Sequence, residues 1–325
     1  MLITGEKLGV FIVPTGVGAS IGGFAGDASC YAREFSKVSK LIVNPNVVNA
    51  GGFSGINDNM FYTEGYVIDE FFKGNIFLQQ ALENKIGVVF DRAIPRDVLN
   101  VHLNTISAVK TVYGVDVLGY EITEKEVGVE FFVNDKNISV GVVQNPETLY
   151  LATEKLLERG ADAIAIVCLF DDENSEDYAN GEGVDPIGGV EGVLSHCISK
   201  KFSIPCAHSP AFLDYSIHSE LVSAKAASEY ITPTFLPCVL LGLNNAPHLN
   251  SSNGISVDNV DYLVMPHNSL GSTPVFEALK RDIPIYAVGE NSTLLNVNNN
   301  NLFKSDKIIE VATYKECLAL IQAEF

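Results

Sequence analysis

Short, wholly apolar runs recur along the chain, each closed by Gly, Pro or Asn, and several lead into stretches whose apolar positions repeat at helical spacing. Leu8 to Val13 reads as a buried strand and Asp27 to Val38 as the helix after it, with Leu41 to Val43 and Ile86 to Phe90 as further strands. Between Val112 and Val143 the pattern changes to β-branched alternation. There Val127 to Val133 and Ile138 to Val143 are joined by Asn134-Asp135-Lys136-Asn137, a hairpin signature, so an antiparallel excursion is expected. Pro146 to Arg159 then sets Leu149, Ala152, Leu156 and Leu157 on one helical face, and Gly160 stops it. Ala163 to Val167 is a continuous apolar strand of the kind found inside a parallel sheet. The cycle repeats with a helix at Gly189 to Lys200, strands at Ile204 to Ala207 and Tyr262 to Met265, and a helix at Pro274 to Lys280. Strands at Ile285 to Val288 and Ile308 to Val311 and a helix at Tyr314 to Ala323 complete it. This alternation predicts an α/β fold of two Rossmann-like domains with mainly parallel sheets. The expected division is 1–145, which carries a Gly-rich loop, and 146–325, a doubly wound unit.

Composition narrows the function. Of 325 residues, 47% are hydrophobic and 19% charged, enough apolar surface for real cores. Lys plus Arg number 21 against 40 Asp plus Glu, giving a net charge of -19. Phosphate backbones are held by clustered cations, so no nucleic acid and no anionic membrane surface is expected as a partner. No apolar run approaches the length of a membrane span, and the opening residues lack the pattern of a signal peptide. Six cysteines are scattered with no C-x-x-C pair, which reads as reduced thiols in a cytoplasmic protein. Association into a homo-oligomer is left open.

Five stretches could carry chemistry. Between Pro14 and Asp27 five glycines separate a strand from a helix, and Gly16, Gly18, Gly22 and Gly23 would let the backbone approach a ligand. The alternative is a long turn whose small residues only permit tight packing. If the loop meets a ligand, Gly18→Val should abolish binding and spare the fold. The next strand ends in Asn44-Pro45 where a nicotinamide fold needs an acidic residue, and no Gly-Lys-Ser/Thr follows the glycines, so no nucleotide cofactor is expected. Asn44-Pro45-Asn46 opens a second stretch, dense in Asn and Gly, that runs through Asn49-Ala50-Gly51-Gly52 and Asn57-Asp58-Asn59 to Glu64 and is either a ligand rim or plain turn chemistry. Cys168, directly after a buried strand and before Asp171-Asp172-Glu173, is a nucleophile or a small core residue. Asp185 to Glu191, Ser195-His196 and Pro205 to Pro210 form the densest polar stretch, with Glu191, His208 and Asp27 as candidate proton carriers and Asp185 and Ser209 as ligand contacts. No metal is expected, because none of these spacings matches a metal motif. Gly271-Ser272-Thr273 before a proline-started helix, with Glu290 and Asn291 after the next strand, suits an anion and hydroxyl groups, or is simply helix capping.

Two local resemblances accompany these readings. Ala161 to Cys168 looks like the strand-to-cysteine segment of aspartate/glutamate racemase-type enzymes, although Leu169-Phe170 replaces the usual Asn-Thr. Met265 to Thr293 looks like the nucleotide-sugar loop of GT-B glycosyltransferases and related epimerases. As a whole the chain resembles an uncharacterised family, the domain of unknown function numbered 3326, through Pro14 to Asp27, Asn44 to Gly52, Asp185 to Pro210 and Pro266 to Asn291. That family brings no activity with it. The residues by themselves point to an enzyme of isomerase, racemase or lyase type. It would act by acid–base chemistry on a small anionic metabolite bearing a carboxylate or phosphate, in an interdomain cleft. The alternatives are a non-catalytic nucleotide or metabolite sensor and a transferase using a nucleotide-sugar-like donor.

Overall fold

A computed structural model describes residues 6–324 apart from 82, 134, 136–138, 171–175 and 186. The apolar runs pair into two parallel sheets. In the larger, Leu8–Phe11 lies between Lys40–Val43 and Tyr262–Pro266; Met60–Tyr62 extends one side, and Ile285–Val288 then Ile308–Val311 the other. Counted along the chain, its strand order is therefore 3-2-1-4-5-6. The smaller sheet runs Cys206–Ala211, Ala163–Leu169, Ile86–Phe90, Val117–Ile122, again all parallel. Small antiparallel pairs complete the architecture, among them Val129–Val133 with Ser139–Val143. That pair is the expected hairpin, and most of its connecting tetrapeptide lies outside the described residues. The excursion is shorter than its sequence range, because Val117–Ile122 is a parallel strand on the edge of the smaller sheet.

These sheets do not divide at residue 145. The larger takes strands from 8–62 and 262–311, and the smaller takes strands from 86–122 and 163–211, so a cut at 145 passes through both. One core also serves both: Phe11, Val43 and Val264 of the larger sheet share a buried cluster with Val88, Ala165 and Ala207 of the smaller. The Leu236–Asn244 helix supplies Leu236, Val239, Leu240 and Leu243 to that cluster. It approaches so closely that a methyl group on Gly242 would strike the Tyr62 ring at 2.6 Å. Three helices that each bury one face, Gly65–Phe72, Arg96–Tyr113 and Gly188–Phe202, complete the layers that matter for the site. Among the described residues no helix is long and apolar enough to cross a membrane.

Candidate functional site

The carboxyl ends of strands from both sheets open onto one cleft of about 410 Å³. Ile12 and Pro14 follow the Leu8–Phe11 strand into it, Asn44 and Asn46 follow Lys40–Val43, Glu64 follows Met60–Tyr62, and Met265 and Ser272 come from the end of Tyr262–Pro266. His208 and Pro210 reach it from the smaller sheet, and Asp185, Gly188, Gly189, Glu191 and Gly192 from the start of the Gly188–Phe202 helix. Of the residues singled out in the sequence, the cleft thus gathers Gly22, Gly23, Asn46, Asp185, Glu191, His208 and Ser272.

His208 is the only partly exposed residue of its strand, and the helix above it brings Ser195 within reach. Its Nδ1 lies 3.0 Å from Ser195 Oγ and 3.9 Å from Glu64 Oε1. The Ser195 hydroxyl has a single proton, and it faces the Gly192 carbonyl at 3.3 Å and the Glu64 carboxyl as acceptors. When that proton goes to either, Nδ1 carries the ring hydrogen and donates it to Ser195 Oγ. Nε2 is then the bare lone pair, and among the described residues it has no hydrogen-bond partner. Glu64 is held in turn: the Tyr62 hydroxyl donates to its Oε1 at 3.3 Å and accepts from Asn49 Nδ2 at 3.0 Å.

Burial decides the charges. It raises the Glu64 carboxyl to about 8, against the pull of the Tyr62 and Ser195 hydrogen bonds, and it lowers His208 to about 4. At neutral pH the contact is therefore a neutral carboxyl beside a neutral imidazole, and not an ion pair. Chemically this is an acid with a proton to give, next to a base with a lone pair, on one wall of a cleft.

Beyond this pair the wall is acidic. Glu191 is 7% exposed, and its Oε1 has no hydrogen-bond partner among the described residues. Burial pushes Glu191 well above the usual carboxylate range, and the neighbouring charges of Asp185, Glu229 and Glu64 push it further. Glu229, from the one-turn Ala227–Tyr230 helix, is raised to about 8 by burial and by Asp185, although a hydrogen bond with Tyr178 pulls it back. Asp185 is also raised by burial, while it accepts the Ile187 and Gly188 backbone N–H groups at the helix start. A second buried acceptor on the cleft wall, Asn49 Oδ1, likewise lacks a donor among the described residues. Five carboxylates line the described cleft (Glu64, Asp69, Asp185, Glu191, Glu229) and no Lys or Arg does.

Other singled-out residues sit elsewhere. Asp27 stands behind the glycine loop, where it accepts the Gly22 N–H and is raised to about 6 by burial. Gly18, at φ +60°, packs against Leu294 and the Gly183 carbonyl; Gly16 also has positive φ and is absent from the lining. Cys168 is fully buried in the apolar cluster of the smaller sheet, and burial pushes its thiol far above the ordinary value, which removes it as a nucleophile. The Asp171-Asp172-Glu173 segment after it lies outside the described residues. Ser209 is buried and donates to the Pro210 carbonyl. Asn291, fully buried, ties the glycine loop to the last helix through both Ile21 backbone groups and the Tyr314 hydroxyl, and Glu290 accepts the Tyr314 N–H. Gly271 and Thr273 flank Ser272 without lining the cleft. Glu229, Tyr178 and Tyr62 escaped the sequence reading, because a one-turn helix in an irregular stretch and a buried strand tyrosine carry no motif.

Residues 8–324 match a family described as "Protein of unknown function (DUF3326)". An uncharacterized lipoprotein of Synechococcus sp. (strain ATCC 27144 / PCC 6301 / SAUG 1402/1) is 37% identical over 298 residues, which make up 89% of this chain and 83% of that protein. No solved structure matches the chain. The family match spans both parallel sheets and every cleft residue named above, and the chain belongs to the DUF3326 family.

Proposed function

We propose that the protein is an enzyme that moves protons on a small polar metabolite bound in this cleft, with His208 as base and Glu64 as acid. The observation that carries the reading is their neutral contact at 3.9 Å on the wall of a cavity large enough for a small molecule. A base that takes a proton from carbon beside an acid that returns one elsewhere is the arrangement of an isomerase, epimerase or lyase. The strand order 3-2-1-4-5-6 supports a Rossmann-like larger unit. In such sheets ligands sit where the order reverses, here between the Leu8–Phe11 and Tyr262–Pro266 strands, whose following residues line the cleft.

The cleft chemistry favours a different ligand from the anion expected above. A carboxylate or phosphate would enter among five carboxyl groups with no Lys or Arg on the described wall. Two buried acceptors there, Glu191 Oε1 and Asn49 Oδ1, need donors. A hydroxylated or amine-bearing molecule supplies them, whereas an anion does not. All six cysteines are free thiols, which supports a reducing compartment; the lipoprotein name belongs to the relative.

The test is a thermal-shift screen of polyols, sugars, amines, hydroxy acids and sugar phosphates, followed by proton NMR of each binder in deuterated water. The expected result is a binder whose C–H exchanges with solvent in the presence of the protein, with His208→Gln slowing exchange by about 10²-fold or more. Binders that never exchange, or exchange equally with His208→Gln, would overturn the reading.

A further inference from the structure

The acidic end of the cleft has a property that proton transfer at His208 does not use. Glu191 projects from the first turns of a helix whose neighbouring cleft positions, Gly188, Gly189 and Gly192, carry no side chain, so its carboxyl stands in a recess. Nine-tenths buried, it leaves Oε1 without a donor among the described residues, and the ionisable groups that act on it, Asp185, Glu229 and Glu64, are all acids. An acceptor taken out of water and left unpaired costs about 1–3 kcal/mol, and the cost is removed when a ligand brings the missing donor. The adjoining wall is aromatic: the Phe24 and Tyr178 rings pack with their centres 4.9 Å apart, tilted by 36°, and both line the cleft. Ring faces attract cations. The chain itself demonstrates this, because the Lys225 ammonium, which is not part of the lining, stands 5.3 Å from the Phe24 ring centre and is drawn towards Asp27.

We propose that this end of the cleft takes the ammonium group of a small organic amine, with Glu191 as its direct partner, Glu229 and Asp185 as the surrounding counter-charge and the Phe24–Tyr178 pair as an aromatic wall. The inference rests on the proposed cleft ligand and specifies its class. A protonated amine brings up to three N–H donors and one positive charge to a site with acceptors in excess, whose buried carboxyls ionise as the cation binds. It also explains why the described wall has no Lys or Arg: a fixed cation would occupy the place of the ligand's own. The molecule is bifunctional on this account, its amine anchored at Glu191 and its reacting carbon presented to His208 and Glu64.

The experiment compares matched compounds on one carbon skeleton: 1,4-diaminobutane, 4-aminobutan-1-ol and 1,4-butanediol, then cyclohexylamine with cyclohexanol, and benzylamine with benzyl alcohol. Affinities are measured by calorimetry at pH 7.5 on the intact chain, and on Glu191→Gln and Glu229→Gln. At least one amine should bind about tenfold or more tightly than its matched alcohol, and Glu191→Gln should erase that preference. Glu229→Gln should reduce it and serves as the second variant if Glu191→Gln does not fold. Alcohols that bind as tightly as the amines, or a preference that survives Glu191→Gln, would overturn the amine assignment and leave the cleft as a ligand site. If no compound of either kind perturbs the NMR signals of His208, the cleft reading falls along with it.

Discussion

The His208 Nδ1 atom stands 3.9 Å from Glu64 Oε1, and burial keeps both groups uncharged at neutral pH. Two opposite charges at this distance would have to be desolvated together, which costs several kcal/mol for each ion. The neutral pair avoids that cost and still holds one acidic proton and one basic lone pair at the same wall. Ser195 bridges the two, so the hydrogen-bond network sets which ring nitrogen faces the ligand.

This arrangement makes His208 an unusual histidine. Its ring should remain neutral down to about pH 4 in the folded protein. Imidazole NMR shifts followed between pH 7 and 5.5 should therefore barely move for His208, whereas an exposed histidine titrates near 6.5. A His208 midpoint near 6.5 would show a hydrated ring, and the neutral buried pair with Glu64 would go with it.

Stability should fall as the solution becomes alkaline. Glu64 and Glu229 have folded values of about 8, raised above those of the unfolded chain. Between an unfolded value near 4.3 and about 8, the native state holds protons that the unfolded state has released, so stability declines with rising pH. Below about 6.5 buried His208 opposes this, because its lowered value makes stability rise with pH between about 4 and 6.5. From pH 6.5 to 8 the carboxyls act without it, each approaching about 1.4 kcal/mol per pH unit. Urea unfolding across that window should show the decline, and Glu229→Gln should flatten it. A curve that rises with pH there would contradict the burial of these groups.

Gly192→Ala should separate fold from site. A methyl group there meets nothing within 4 Å, and alanine in a helix interior is favoured over glycine by about 1 kcal/mol. Gly192 also lines the cleft beside Glu191, so the same methyl narrows the recess. The variant should melt at a higher temperature and bind cleft ligands more weakly. Unchanged binding would remove this turn of the helix from the site.

The glycine loop answers to a different test. The expectation that Gly18→Val abolishes binding and spares the fold does not suit its surroundings. A Cβ there would meet Leu294 at 2.9 Å and the Gly183 carbonyl at 3.1 Å, in a left-handed backbone. Gly18→Val should cost at least about 2 kcal/mol in urea unfolding. Asn291→Ala should cost a similar amount, because it leaves the Ile21 backbone groups without their buried partner.

The strands legible in the sequence were those buried on both faces. Leu8–Phe11, Ala163–Leu169 and Ile285–Val288 are unbroken apolar runs because sheet neighbours and helices cover them completely. Val117–Ile122 was absorbed into the antiparallel excursion because, at the sheet edge, it alternates covered and open positions. In the cleft, His208 and Glu191 were readable because they interrupt apolar or glycine-rich surroundings. Cys168 and Asn291 looked equally functional, yet each is fully buried. Sequence marks a polar residue in an apolar stretch but does not say whether it faces a partner inside the protein or a cavity. The division at 145 misled for another reason: adjacency along the chain says nothing about which strands close a sheet from opposite ends.

That closure bears on how the protein is made. The Leu8–Phe11 strand leaves the ribosome some 250 residues ahead of Tyr262–Pro266, one of its two hydrogen-bonding neighbours. Until then a fully apolar strand presents an open edge, the kind of surface that recruits chaperones or other nascent chains. The smaller sheet, encoded entirely between residues 86 and 211, can assemble while its larger companion waits. Synthesis should thus pass through a half-built state, in which one rim of the cleft exists and the other has yet to be translated.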